Sequence, residues 1–234
     1  MLEKLFGSVT SYFQNKRIAL EIRKQLPGFN TRSYNYREWS NYNWTEKGEE
    51  WTDSAEWKKT LIENTVSKYF QPRKDILEIG PGAGRWSVIL ATIANSLTLV
   101  DLTSESLHVC RQRLASFSHC KFYQTDGRNL SFIAADSIDY VWSFDVFVHI
   151  APADTETYIH SLSSILRKGG IAIIHHPAYG GYKGGFRSST TNHFFQTILT
   201  KYGFRILEQL DSWGDKNIHT VKAHNDLITV FEKV

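Results

Sequence analysis

Short apolar runs alternate with longer amphipathic segments from residue 75 to the end of the chain. The longer segments carry apolar residues at helical spacing, and the runs are typical of buried strands. A chain in which strands and helices alternate forms a mostly parallel sheet with helices on both faces. The predicted helices are 85–94, 104–116, 152–166 and 191–202, and the predicted strands are 76–79, 97–101, 121–124, the first part of 137–150, 171–176, 205–210 and 227–231.

The start of the chain has a different pattern. Residues 1–26 place apolar side chains at helical spacing among lysines and arginines, and Pro27 and Gly28 end that segment. A basic amphipathic helix can lie on an anionic membrane surface. Packing on its own domain or on a second subunit is the commoner use of such a helix, and it is the one we expect here.

Residues 28–52 are polar and densely aromatic. We expect some of these rings to roof a ligand site, because aromatic faces attract cations and a lid excludes water. A packed cap without a ligand role is the alternative. Asp53 as N-cap, with Glu56 three residues on, predicts the next helix, which Pro72 closes. The chain thus divides into a helical and aromatic cap, 1–72, and a second domain, 73–234.

The clearest candidate for a ligand site is 76–86, where an apolar strand breaks into Gly80, Gly82 and Gly84. A buried strand that runs into a glycine turn and then a helix places backbone N–H groups and a helix N-terminus beside a ligand. Arg85 stands where a dinucleotide-binding Gly-x-Gly-x-x-Gly fingerprint has its third glycine. This departure argues against a pyrophosphate site.

Carboxylates follow the later strands. Asp101 ends the second apolar run, about 20 residues beyond the glycine loop, where an acid is positioned for ribose hydroxyls. The third run leads into Asp126 and Gly127, and the fourth begins the segment 137–150. Residues 166–170 then form a charged glycine turn into the fifth run.

These motifs, in this order over 75–176, resemble those of the class I S-adenosylmethionine-dependent methyltransferases. The resemblance implies an α/β fold, a Rossmann-like three-layer sandwich around a mostly parallel seven-stranded sheet with an antiparallel last strand. It implies S-adenosyl-L-methionine (SAM) as cofactor, with Glu78 facing the amino-acid end and Asp126 near the adenine amino group. The implied cofactor-binding residues are Glu78, Gly80, Pro81, Gly82, Gly84, Asp101, Leu102, Asp126, Gly127, Ser143, Phe144 and Asp145.

Histidines are the candidates for acceptor activation. Methyl transfer from a sulfonium needs the acceptor aligned about 3 Å from the methyl group in a dry site, and a hydroxyl acceptor benefits from a base. We predict His176 as that base, with His175 second, because both end the fifth strand. Adjacent strand residues face opposite sides, so at most one of them faces the site. His149, after the fourth strand, is predicted on the cofactor side.

Two alternatives remain open for these residues. The strand-end histidines can serve only as caps of the strand, and His149 can be a structural hydrogen-bonding residue. A divalent ion shared by Asp145 and one histidine is a further reading. No ligand set has compact spacing, so we expect no metal.

The glycine-rich loop 177–189 is the candidate acceptor-binding segment. Such a loop after a strand end provides mobile walls for a substrate. Arg187 is suited to an anionic part of an acceptor, and a solvated loop without ligand contact is the alternative. The predicted substrate residues are Tyr179, Tyr182, Arg187 and Trp213.

Composition is typical of a globular protein and bears on its partners and cellular compartment. The chain has 234 residues, of which 41% are hydrophobic and 22% charged, and its net charge is only +3. This small charge gives no reason to expect nucleic acid. The two cysteines lack metal-type spacing, and no apolar run is long enough to span a bilayer. We therefore expect a cytoplasmic protein with reduced thiols.

The resemblance predicts methyl transfer to a hydroxyl, amine or carboxylate of a small molecule, sugar or glycan. An RNA or protein methyltransferase is the second reading, although residues 143–146 lack the Asn/Asp-Pro-Pro-aromatic motif of amino-methylating enzymes of this fold. A non-catalytic partner subunit with the same fold is the third, and the intact glycines argue against it. The oligomeric state stays open.

Overall fold

The computed structural model describes residues 30–178, 187–221 and 224–234. The predicted basic helix of 1–26 lies outside these residues. The helices are α1 Arg32–Ser40, α2 Ala55–Asn64, α3 Val66–Tyr69, α4 Ser87–Ile93, α5 Ser104–Arg113, α6 Pro152–Ile165 and α7 Asn192–Lys201. The strands are β1 Lys74–Ile79, β2 Ala94–Asp101, β3 Cys120–Gln124, β4 Ile138–Ser143, β5 Leu166–Pro177, β6 Phe204–Leu210, β7 Ser212–Trp213, β8 His219–Thr220 and β9 Asp226–Lys233.

A seven-stranded sheet of order β3-β2-β1-β4-β5-β9-β6 forms the centre of the fold. Strands β1 to β5 pair in parallel, whereas β9 pairs antiparallel with both β5 and β6. The predicted mostly parallel sheet with an antiparallel last strand is confirmed. The strand order reverses beside β1, and ligands in such sheets bind at the carboxyl ends of the strands near that point.

Helices cover both faces of this sheet. One hydrophobic cluster joins α2, α4 and α5 to the face that carries Trp142, and a second joins α6 and α7 to the face that carries Val141. The two residues separate because neighbouring side chains of a strand point to opposite faces. The result is the predicted three-layer arrangement.

Helix α2 begins one residue later than predicted. Ser54, rather than Asp53, is its N-cap, and the Ser54 hydroxyl accepts the main-chain N–H of Trp57 at 3.0 Å. This contact satisfies one of the N–H groups that a helix start leaves unpaired. Trp57 and Leu61 then pack into the first cluster, so the described part of the cap region shares a core with the sheet.

The connection between β6 and β9 is more than the predicted polar loop. It contains the antiparallel hairpin β7–β8, which buries Trp213. The Trp213 ring lies 5.3 Å from that of Trp57, and its indole N–H donates to the Trp57 carbonyl at 3.4 Å. Trp213 therefore packs in the core, which corrects its prediction as a substrate residue.

The variant Trp213→Ala should lower the free energy of unfolding by about 3–5 kcal/mol, because it removes a large ring that is 2% exposed. Urea denaturation followed by circular dichroism measures the change. Ile218→Ala is the control, since this side chain of the same hairpin region is 66% exposed and its truncation should cost less than about 0.5 kcal/mol. Equal losses in the two variants would contradict the buried position of Trp213.

Candidate functional site

The glycine loop after β1 requires its glycines. Gly80, Gly82 and Gly84 have φ of +69°, +54° and +89°, in the left-handed region that favours glycine. A Cβ added at Gly80 would lie 2.4 Å from a methyl group of Val146, so a side chain there has no room. The loop consequently brings bare backbone to the carboxyl edge of the sheet.

Asp101 fixes this loop from the end of β2. One oxygen of its carboxylate accepts the Gly82 N–H at 3.1 Å, and the other accepts the Thr103 N–H at 3.0 Å. Burial raises the pKa of Asp101, and these hydrogen bonds oppose the rise only in part. Two main-chain N–H groups therefore hold the Asp101 carboxylate in place beside the glycine loop.

Glu78 lies behind the glycine loop and does not line the groove in front of it. Its carboxyl group is buried, and it accepts the Ser87 hydroxyl at 2.5 Å. Burial raises the pKa of Glu78 to about 8, although the Ser87 contact lowers it. The described contacts of Glu78 thus support the loop from the core side, and its place at the amino-acid end of a cofactor stays a prediction.

A groove, here called the glycine groove, runs along the loop and the ends of β2 and β4, with a cavity volume of about 120 Å³. The structure places most of the predicted cofactor residues along it. Those that line it are Gly80, Pro81, Gly82, Asp101, Leu102, Gly127, Phe144 and Asp145.

Besides Glu78, three of the predicted cofactor residues do not line the groove. A Cβ at Gly84 would lie 3.1 Å from the sulfur of Cys110, so this glycine faces α5. The Ser143 hydroxyl is buried and donates to the Ile79 carbonyl at 2.9 Å. Asp126 turns its carboxylate to the Asn129 N–H at 2.9 Å, and half of its side chain is exposed.

Aromatic residues of the cap lie over the glycine groove. The ring of Trp44 would be 3.1 Å from a Cβ added at Gly82, so it sits directly against the loop. Trp39, Tyr42, Trp44 and Trp51 form one cluster with ring centroids 4.9 to 6.2 Å apart.

A salt-bridge cluster holds this part of the cap against the domain. Glu49, which follows the aromatic turn, pairs with Lys58 of α2 at 2.8 Å and with Arg113 of α5 at 2.5 Å. Burial raises the pKa of Glu49, but its two cationic partners outweigh burial and lower it. The cluster thus ties the aromatic turn to two helices of the domain.

Five alternating charged groups link the glycine loop to the last strand. Arg85 pairs with Asp145, whose carboxylate lies 3.1 Å from Nδ1 of His175. On the other side of the imidazole, Nε2 lies 3.2 Å from the carboxylate of Asp226, which also pairs with Arg187. We call Arg85, Asp145, His175, Asp226 and Arg187 the charged chain.

The charged chain sets the protonation of its members. Burial alone would lower the pKa of His175, but Asp145 and Asp226 outweigh burial and raise it. Burial likewise raises the pKa of both carboxyl groups, and the facing His175 and arginines bring each below its ordinary value. His175 therefore lies between two carboxylates that favour its protonated form.

A larger space of about 780 Å³, here called the aromatic cavity, lies beside the glycine groove. The two spaces share Phe144 and Asp145 as a wall, along with His149 and the cap residues Trp39 and Trp51. A volume of this size suits a small-molecule ligand. The described residues thus provide two adjoining spaces at the carboxyl edge of the sheet.

The structure separates the three histidines predicted for catalysis. His175 and His149 line the aromatic cavity, and His149 also lines the glycine groove. His176 faces the opposite side of the sheet, where its ring stacks on Phe195 at 3.8 Å. Nδ1 of His176 donates to the Pro177 carbonyl at 2.9 Å, and Nε2 lies 2.7 Å from the Thr229 hydroxyl.

His176 is therefore a core residue. Burial lowers its pKa to about 3, so the ring is neutral, and both nitrogens already have partners. This position corrects the order of the two strand-end histidines, since His176 reaches neither space. The alternation of side chains along β5 allowed one of the pair to face the site, and that one is His175.

The predicted substrate residues have different outcomes. Arg187 lines the aromatic cavity and pairs with Asp226, while its Nε has no hydrogen-bond partner among the described residues. Tyr179 and Tyr182 lie outside the described residues.

Within the described ranges, no group of histidine, cysteine or acidic residues is arranged to hold a metal ion. No helix in that same part of the chain is both long and apolar enough to cross a membrane.

The charged chain is not evident from the sequence. Arg85 stands out there only as a departure from a fingerprint, and Asp226 stands at the start of a strand with no motif around it. The antiparallel pairing of β5 with β9 brings Asp226 opposite Pro177, next to His175. Only the folded sheet provides this proximity.

The comparisons with known proteins agree with the fold. A methyltransferase domain family matches residues 76–170. An inferred O-methyltransferase of Mycobacterium marinum is 31% identical over 119 residues, which are 47% of this chain and 51% of that protein. The chain thus spans about half the length of this curated relative.

Solved structures share the fold at low sequence identity. The N-methyltransferase NodS of Bradyrhizobium japonicum, solved with S-adenosyl-L-homocysteine, has a TM-score of 0.63 and 20% identity, covering 88% of this chain and 99% of NodS. An S-adenosylmethionine-dependent methyltransferase of Clostridium acetobutylicum has a TM-score of 0.63 and 16% identity, covering 81% and 96%. At this identity the likeness concerns the fold alone.

The raised pKa of His175 predicts a pH-dependent contribution to stability. Stability from a histidine whose pKa is raised by folding is fully present below the unfolded pKa of about 6.5 and is lost as pH rises through the folded value. The variant His175→Gln should therefore be destabilised more at pH 6 than at pH 9. Urea denaturation of both proteins at the two pH values measures this difference. A gap that widens toward pH 9 would contradict a pKa of His175 that Asp145 and Asp226 raise.

Proposed function

We propose that this chain is a class I S-adenosylmethionine-dependent methyltransferase and that it moves the methyl group of SAM to a hydroxyl, amine or carboxylate of a small molecule, sugar or glycan. The observation that carries the proposal is the pair of adjoining spaces on either side of Phe144 and Asp145. Two spaces that share one wall suit a transfer between two ligands. The net charge of +3 gives no separate reason to propose a nucleic-acid partner.

The residues of the glycine groove fit SAM. Gly127 lines the groove with a φ of +80°, and an added Cβ there would lie 3.1 Å from Leu102, so this position favours glycine. Asp101 presents a carboxylate at the end of β2, where ribose hydroxyls can donate to it in charge-assisted hydrogen bonds. When bound, SAM supplies a methyl group activated on a positively charged sulfur.

Phe144 and Asp145 form the wall where transfer would occur. The Phe144 ring stacks on His175 at 4.4 Å and packs against Trp86 at 5.2 Å, so its position is fixed from both sides. An aromatic face and a carboxylate both stabilise a neighbouring sulfonium. A rigid wall also favours the in-line approach that methyl transfer requires.

The two cavity-lining histidines predicted for catalysis receive different roles. Each ring nitrogen of His175 faces a carboxylate, that of Asp145 or that of Asp226, so we assign His175 to holding Asp145 in place. His149 lines both spaces and is the base that we propose for a hydroxyl acceptor. The named relatives include an O- and an N-methyltransferase, so their names do not choose the acceptor.

Asp101→Asn tests the cofactor assignment. The change removes the charge that would strengthen hydrogen bonds from the ribose, so SAM affinity should fall by about 1.5–3 kcal/mol, roughly 10- to 100-fold. Isothermal titration calorimetry with SAM measures it, with NAD as a second titrant. Asp136→Asn is the matched control, because this exposed carboxylate pairs with Lys233 away from the groove. Absence of SAM binding by the unaltered protein, or equal binding of NAD, would refute the proposal.

Trp44→Ala tests whether the aromatic segment closes over the cofactor. Trp44 sits against Gly82, and loss of its face should weaken SAM binding by about three- to tenfold, the range of an aromatic–cation contact. Trp44→Phe keeps an aromatic face and should retain most of the affinity. Quenching of protein fluorescence by SAM gives both values. Tighter binding by Trp44→Ala would mean that the ring obstructs the groove instead of roofing the ligand.

A further inference from the structure

The aromatic cavity is acidic on the side of the cap. Among the described residues that line it, Arg187 is the one arginine or lysine, and it pairs with Asp226. Glu50 and Asp53, on the cap side, have no ion pair with any described residue, and both are exposed toward solvent. The carboxylates along the cavity are Glu38, Glu50, Asp53, Asp145 and Asp226.

Aromatic faces stand beside these carboxylates. The Tyr42 hydroxyl donates to Glu50 at 2.7 Å, and this contact orients the Glu50 side chain along the cavity. The Tyr42 ring lies 5.1 Å from Trp51, and Trp51 lies 6.0 Å from Trp39, so three rings share one wall. Aromatic faces next to carboxylates are the combination by which proteins bind organic cations.

A deeper group provides an independent observation. Asp226 is 2% exposed and lines the cavity, yet its second carboxylate oxygen has no hydrogen-bond donor in the described part of the chain. A buried acceptor without a donor is costly, so such atoms in native proteins are usually satisfied by a ligand or water. An N–H donor entering the aromatic cavity would supply the missing partner.

We propose that the acceptor is an organic amine that enters the aromatic cavity as a cation and is methylated on nitrogen. The inference rests on the proposed methyl transfer and narrows its acceptor class. Glu50 and Asp53 attract the ammonium group at the cap side, and the rings of Trp39, Tyr42 and Trp51 hold its alkyl or aryl part.

The reaction balances without a further reagent. The bound ammonium group first releases one proton to water, which leaves a nitrogen lone pair. That lone pair forms the N–C bond as the S–C bond breaks, and the S–C electron pair stays on sulfur. The product is a methylated ammonium ion and a neutral thioether, so one positive charge moves from sulfur to nitrogen.

The electrostatics of the cavity match this movement of charge. Positive charge develops on the acceptor side as the S–C bond breaks, and the carboxylates of that side stabilise it. An anionic acceptor would instead approach Glu50 and Asp53, and Arg187 already pairs with Asp226, which leaves only its buried Nε without a described partner. The amine inference takes the place of the expectation that Arg187 holds an anionic substrate.

A matched set of acceptors tests the chemical class. The full-length protein is incubated with methyl-labelled SAM and with 2-phenylethylamine, 2-phenylethanol or 3-phenylpropionate, which share a phenyl ring and a short chain. We expect label transfer to the amine to exceed transfer to the other two by at least about tenfold. Transfer mainly to the alcohol or the carboxylate would overturn the inference while leaving the proposed methyl transfer intact.

Binding of a cation provides a second measurement that does not need turnover. In the presence of S-adenosylhomocysteine, choline should bind at least about tenfold more tightly than its neutral isostere 3,3-dimethylbutan-1-ol. The double variant Glu50→Gln and Asp53→Asn should weaken choline binding by about tenfold with little change for the isostere. Glu63→Gln, an exposed carboxylate on α2 paired with Lys59, is the control and should change neither.

These outcomes distinguish a failure of the amine inference from a failure of the proposed methyl transfer. If SAM binds and choline binds no better than the isostere, the amine inference is wrong even when none of the three acceptors is methylated. If choline binding prefers the cation and responds to the double variant, the inference holds for the cavity. If SAM itself does not bind, the proposed function fails first.

Discussion

The contact of the Asp145 carboxylate with Arg85 and His175 is the interaction on which the rest of the site depends. Asp145 has a φ of +61°, an unusual value for a residue with a side chain, and it turns the chain at the end of β4 toward both neighbours. Its carboxylate joins the glycine loop to β5, and His175 extends the connection through Asp226 to β9. Removal of one member would leave its partner as an uncompensated buried charge, so the segments hold one another in place.

This constraint places two different spaces side by side. The glycine groove lies on one side of Phe144 and Asp145 and the aromatic cavity on the other. The imidazole of His175 lies between the carboxylates of Asp145 and Asp226 and stacks on Phe144, so contacts from several segments position the shared wall. A fixed wall is what a displacement reaction needs, since most of its acceleration comes from alignment of the two ligands.

Sequence alone predicts the parts of this site that are local in the chain. The glycine loop and Asp101 follow single strands, so periodicity and spacing locate them, and the sheet with its antiparallel last strand follows from the ordered motifs. Burial on either face of a strand is harder to predict, because His175 and His176 differ only in which side they face. Trp213 shows the same limit, since a hairpin carries it into the core. The charged chain joins residues from distant segments, so no local sequence pattern predicts it.

A crystal structure of the protein with S-adenosylhomocysteine tests the central claim most directly. The account predicts that the ribose hydroxyls contact Asp101 and that the sulfur lies against Phe144 and faces the aromatic cavity. The Arg85, Asp145 and His175 contacts should persist in that complex. A ligand bound elsewhere, or a sulfur turned away from Phe144 with the Asp145 contacts broken, would contradict the account.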